Sequence, residues 1–106
     1  MSKPLVEVLS FDGCPHTESA LELVRRVIAE SGVGATVRCV DVPDAQAAEA
    51  QRFLGSPTIR VNGRDIEPGA DRRTEFSYSC RTYPAPQGRS GMPDEAWVRA
   101  ALRRAS

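Results

Sequence analysis

The 106-residue chain has a single histidine, a single tryptophan and only three cysteines. So few cysteines, and an odd number, exclude a disulfide scaffold, so each thiol is reactive, structural or incidental on its own terms. One histidine without a paired-cysteine motif is a poor basis for a zinc site, and no metal ligands are assigned. Net charge is lacking too. Fourteen Lys and Arg offset fourteen Asp and Glu, and the arginines are scattered, which argues against nucleic acid. No apolar run approaches the ~20 residues that cross a bilayer. The opening MSKPLVEVLSF holds one lysine and no small-residue cleavage site. It reads as a first strand and not as an export signal. Repeats and low-complexity tracts are missing. These absences lead to the expectation of one domain, 1–106, in the cytoplasm, where thiols stay reduced.

What is present is an alternation of periodic patterns. Leu5, Val6, Val8 and Leu9 surround Glu7 in a short strand at 4–10. A helix is expected over 15–31, with Ala20, Leu21, Val24, Val27 and Ile28 on one face. Pro15 suits its first position, and Ser31-Gly32 its end. ATVRCVDV, 35–42, is a second strand. An Ala-rich helix over 43–54 opens with Pro43 and closes at Gly55. TIRV, 58–61, meets Asn62-Gly63, a strong hairpin signal, and returns through RDIEP. Residues 68–92 read as irregular, longer than the ~12–15 residues usual for a structureless connection, which marks them as functional or mobile. PDEAWVRAALRRA closes with acids first and arginines last, matching the helix dipole. The order is β-α-β-α-β-β-α. It predicts two parallel strands around a crossover helix, an antiparallel hairpin, and helices on both faces of a four-stranded mixed sheet.

FDGCPHTE, Phe11–Glu18, puts Cys14 between the first strand and the first helix. The thiolate is the nucleophile in disulfide exchange. A helix start favours that anion through unpaired N–H groups and partial positive charge. Cys14 is expected at the N-cap, with His16 as a donor or proton carrier and Thr17 as a hydroxyl donor, while a nearby Asp12 would oppose. The plain alternative is a small packed hydrophobe. Cys39 alternates with Val37 and Val40 and reads as core. Cys80 sits in YSCRTY, where Arg81 could steady a thiolate and Tyr78 and Tyr83 could pin the loop. Its alternative is a loop cysteine with no role. Phe53, Trp97 and Val98 read as core.

This element order, with Cys14-Pro15 at the first junction and Gly55-Ser56-Pro57-Thr58 before the third strand, resembles the thioredoxin fold. It is nearest the small glutaredoxin-like and thioredoxin-like proteins. FLGSPTIRVNGRDIEPGAD, then SCRTY and a Gly91-Met92-Pro93…Trp97 ending, is similar to small thioredoxin-like proteins often labelled alkylmercury lyase. The resemblance spans nearly the whole chain apart from the long loop.

The resemblance implies thiol–disulfide oxidoreductase chemistry with Cys14 attacking and a cis Pro57 facing it. Ser56, Pro57 and Thr58 would bind substrate, Ser56 offering its N–H and C=O to an extended peptide or to glutathione. No resident cofactor is expected; glutathione is a candidate co-substrate, and a small thiol or a disulfide-bearing protein the expected partner. Arg52, Arg60 or Arg72 could meet a glutathione carboxylate. The chain departs from dithiol relatives at one place: Thr17 stands where their second cysteine would be. Three chemistries remain. Cys14 works alone with glutathione resolving its adducts, or Cys80 resolves them, or Cys14 binds a metal or an iron–sulfur cluster. A lyase cutting carbon–mercury bonds needs two cysteines and a carboxylate. Cys14, Cys80 and Asp12 or Asp71 supply those types, but that family's catalytic domain is larger. Mercury binding by a soft thiolate is the simpler form of that alternative.

Overall fold

The computed structural model describes residues 3–105. Its elements are β1 (Leu5–Ser10), α1 (Thr17–Ser31), β2 (Thr36–Asp41), α2 (Ala45–Ala50), β3 (Thr58–Val61), β4 (Arg64–Asp65), β5 (Tyr83–Ala85), β6 (Gly88–Ser90) and α3 (Glu95–Ala105). The architecture is mixed α/β. One four-stranded sheet runs in the order β2-β1-β3-β4. β1 and β2 are parallel, with Val8 opposite Cys39; β3 lies antiparallel to β1, with Val8 opposite Ile59. β4 is the antiparallel return of the hairpin.

Strand alternation distributes β1 between two cores. Val6 and Val8 face Ile59 and Val61, covered by Ala20, Leu21, Val24 and Val27 of α1 and by Val98, Ala101 and Leu102 of α3. Leu9 faces the other way and packs with Val42, Ala48 and Phe53 beneath α2. Each such buried aliphatic side chain is worth ~1.5–3 kcal/mol of transfer free energy. Asn62 and Gly63 adopt positive φ angles of 51° and 82°, as a two-residue hairpin turn demands. The Leu5 N–H donates to Asn62 Oδ1 at 2.9 Å, tying that turn to the start of β1.

Several elements are shorter than the sequence pattern suggests. α1 begins at Thr17, and residues 15 and 16 form a turn ahead of it. Its first main-chain bond runs from Ala20 N–H to His16 O, so His16 and not Cys14 is the N-cap. α2 covers only 45–50. Asp44 starts it by accepting from the Ala47 N–H at 2.8 Å, and the left-handed Arg52 at φ 56° prevents its continuation. β4 has two residues in place of five.

The segment 68–92 is not the irregular loop expected. It holds a turn of 3₁₀ helix at Ala70–Arg72, a single β-bridge from Cys80 to Ser56, and the β5–β6 hairpin. Two side chains fasten it. Arg81, 3 % exposed, donates to Asp65 Oδ2 at 2.7 Å, Asp65 Oδ1 at 3.2 Å and Glu67 Oε1 at 2.8 Å. Tyr83 is fully buried, donates its hydroxyl to the Pro57 carbonyl, and tilts against Trp97. Burial pushes that phenol far above its ordinary range, so it remains a donor. Tyr78 rests on Phe11, with ring centroids 4.9 Å apart. No helix among the described residues is long and apolar enough to cross a membrane.

Candidate functional site

The turn between β1 and α1 is closed by the Cys14 N–H donating to Phe11 O at 3.2 Å. It sets the Cys14 side chain, half-buried, at the mouth of α1. Burial of the sulfur is the largest single influence on its ionisation, and it opposes the thiolate. The Ser56 hydroxyl, the Thr17 hydroxyl and the main-chain N–H groups of His16 and Thr17 act the other way. Together they outweigh desolvation and hold the Cys14 thiol below its ordinary range.

Ser56 has two faces to this role. Its Oγ is buried and has no hydrogen-bond partner of ordinary geometry, yet it is the strongest group favouring the ionised sulfur. Both descriptions fit a hydroxyl lying within reach of the sulfur and outside a regular bond to it. A full negative charge draws such a donor in more strongly than a neutral thiol does.

The structure brings Cys14, Thr17 and Ser56 together. His16 favours the ionised sulfur through its backbone N–H, and its ring occupies the space beside Gly91, where an added Cβ would come within 2.4 Å of Nε2. Arg81 does not steady a Cys80 thiolate, because its guanidinium is committed to Asp65 and Glu67.

The expected substrate platform is covered. Ser56, Pro57 and Thr58 are all buried. The Ser56–Pro57 peptide is cis. The Ser56 N–H donates to Ser79 O and the Arg81 N–H donates to Ser56 O, both at 2.9 Å. Cys80 is thus paired directly with Ser56 in a parallel bridge. The two main-chain groups expected to receive a peptide or glutathione are already filled by the chain itself. Thr58 donates its hydroxyl to Gly55 O at 2.6 Å and accepts from Arg81 Nη1 at 3.0 Å, and so helps hold the loop.

Cys39 is exposed, contrary to the expectation of a core residue. β2 is an edge strand, and the cover that α1 gives to Val37 does not extend to residue 39. Cys39 instead lines an open groove of about 650 Å³ together with Cys14, Thr17, Glu18 and Asp41. A roomier groove of about 730 Å³ lies between α1 and the β5–β6 hairpin, but it does not touch Cys14. Chemistry favours the groove that holds the thiol.

Of the arginines considered for a carboxylate, Arg60 donates to the carbonyls of Gln51 and Arg52, and Arg52 stacks on Phe76. Arg72 remains exposed. Asp71 lies 3.9 Å from Arg64. Among the described residues no group of three or more His, Cys, Asp or Glu side chains is arranged to hold a metal ion.

No family model matches this chain, and no curated protein matches it.

The chemistry follows from the site alone. A stabilised, solvent-accessible thiolate can attack a disulfide sulfur or another soft electrophile. The Ser56 hydroxyl was missed as a contributor because the sequence directs attention to that residue's backbone. Arg81 carried a legible signal: Asp65 and Glu67, two apart, present two carboxylates on one side of an extended segment.

Proposed function

We propose that the protein is a thiol–disulfide oxidoreductase on a thioredoxin-like fold, with Cys14 as the attacking residue. The observation that carries the proposal is the half-buried Cys14 at the mouth of α1, where the Ser56 and Thr17 hydroxyls and the His16 and Thr17 N–H groups favour its ionised form. The fold half of the reading is supported by the strand order β2-β1-β3-β4 with β1 and β2 parallel, two helices on one face and one on the other. It is supported further by a thiol at the first strand–helix junction beside Ser56-Pro57.

In the first step the Cys14 thiolate attacks one sulfur of a disulfide R–S–S–R′. A Cys14–S–S–R bond forms, the original S–S bond breaks, and R′S⁻ leaves to take a proton from water. A second thiol then attacks the mixed disulfide and releases Cys14. The open groove beside Cys14, Thr17 and Glu18 admits a small disulfide such as oxidised glutathione or an exposed protein disulfide. A reducing cytoplasm suits this chemistry, with Cys14, Cys39 and Cys80 all free thiols.

The test is the rate of Cys14 alkylation by iodoacetamide as a function of pH. The expected curve rises at a pH below that of free cysteine and disappears in Cys14→Ser. A curve that follows free cysteine, or a Cys14 left unmodified in the folded protein, removes the proposal.

A further inference from the structure

We propose that Cys80 is the thiol that resolves the Cys14 mixed disulfide, so that the oxidised protein carries an internal Cys14–Cys80 bond. The inference rests on the oxidoreductase reading and supplies the second sulfur that Thr17 cannot.

Pairing carries the argument. Ser79-Cys80-Arg81 runs parallel to the chain at Ser56, held by two main-chain bonds of 2.9 Å, with Cys80 directly opposite Ser56. Neighbouring strands lie ~4.8 Å apart, and paired residues point to the same face. Ser56 turns its side chain toward Cys14. Successive residues of an extended segment point to opposite faces. Arg81 is buried on the side of Asp65, Glu67 and Thr58, so Cys80 points away from them, to the face it shares with the Ser56 side chain. Its thiol is exposed. Ser56, paired with Cys80 and favouring the ionised Cys14 sulfur, has a fully buried Oγ without a regular partner. That hydroxyl can donate to whichever sulfur carries the charge.

The same pairing explains the covered platform. Ser56 presents an N–H and a C=O in the arrangement that would receive an extended peptide, and the chain fills both with its own cysteine-bearing strand.

The step balances as follows. Cys80 attacks the Cys14 sulfur of Cys14–S–S–R; a Cys14–Cys80 bond forms, RS⁻ leaves, and the Cys80 proton goes to it. One substrate disulfide has become two thiols, and the protein has given up two electrons and two protons. A dithiol, or two molecules of a small thiol, returns them.

The experiment mixes the reduced full chain anaerobically with oxidised glutathione and follows intact and peptide masses. Cys80→Ser and Cys39→Ser are run beside it. Wild type and Cys39→Ser are expected to release two glutathiones per chain and to yield a Cys14–Cys80 cross-linked peptide. Cys80→Ser is expected to release one and stop at a Cys14–glutathione adduct. A tethered thiol acts at millimolar effective concentration, so in micromolar free thiol the wild-type adduct should decay roughly a thousandfold faster. A wild-type adduct as persistent as that of Cys80→Ser overturns the resolving role and leaves Cys14 reactive. So does a Cys14–Cys39 cross-link. No adduct in any variant, with Cys14 also resistant to iodoacetamide at neutral pH, overturns the oxidoreductase reading itself.

Discussion

Ser56 Oγ is fully buried, lacks a regular hydrogen-bond partner, and is the strongest group favouring ionisation of the Cys14 sulfur. A buried hydroxyl left without a bond costs ~1–3 kcal/mol. Here that cost is tied to a reactive neighbour. The hydroxyl is an idle donor beside the neutral thiol and a working one beside the thiolate. The local chain geometry, the burial of residue 56 and the reactivity of residue 14 are thus one arrangement.

Ser56→Ala tests it directly. The substitution removes the donor, so the Cys14 thiol should become less acidic and its alkylation at pH 7 several-fold slower. Stability should hold or rise, by up to about 1–3 kcal/mol, because an unsatisfied buried hydroxyl is removed and no regular bond is lost. Iodoacetamide kinetics and a urea titration on the same samples read both. A slower reaction together with a large loss of stability would point to simple unfolding of the site.

The Cys14 thiol also links stability to pH. It is more acidic in the folded chain than the ordinary thiol of the unfolded one. Its contribution is therefore fully present above the unfolded value and is lost as pH falls through the folded value. Relative to Cys14→Ser, the wild type should gain stability as pH rises across that window and level off above it. Urea midpoints of the two proteins at matched pH measure the difference. A difference that shrinks with rising pH would contradict a stabilised thiolate.

Gly55 controls whether residues 79–81 can dock. It has φ 122°, and an added Cβ would lie 2.8 Å from Arg81 Cβ and 3.1 Å from both Arg81 Cα and Ser79 O. Two of those neighbours are backbone atoms, which cannot swing aside. Gly55→Ala should cost about 2–4 kcal/mol from overpacking and a disfavoured φ. It should also weaken the two bonds to Ser56. Amide hydrogen exchange at Ser56 and Arg81 should accelerate more than at Val8 in β1. Uniform acceleration would mean global destabilisation and no specific role for the docked strand.

Much of this arrangement was legible in local patterns. The alternation of Val6, Val8 and Leu9, the helical spacing of Ala20, Val24 and Val27, and the Asn62-Gly63 turn each depend on nearest neighbours in the chain. The mixed four-stranded sheet follows from them. Cys14 and Thr17 were legible as a pair, because three residues at a helix start share one turn. Other features depend on tertiary placement. Cys39 is exposed because α1 does not cover that part of an edge strand, and alternation within β2 carries no record of helix position. The His16 ring packs against Gly91, far along the chain, where a larger residue would clash. The bridge between Ser56 and Cys80 joins two distant segments, each polar and short, with no periodic signal of its own.

Arg81 holds the far side of that bridge, and its removal should be costly. Its side chain is 1 % exposed, against 9 % for Asp65 and 13 % for Glu67. Nearby Tyr83 lies under the guanidinium, whose carbon sits 4.4 Å from the ring centre. Arg81→Met keeps much of the alkyl volume but strands two carboxylates out of water. Breaking one partner out of a buried pair typically costs about 3–5 kcal/mol. Adding Asp65→Asn and Glu67→Gln to Arg81→Met should recover part of the loss, since the uncompensated charge is then gone. Urea unfolding of the single and triple variants measures both steps. A further loss in the triple variant would show that packing of the Arg81 stem on Tyr83, and not charge, holds the strand that carries Cys80.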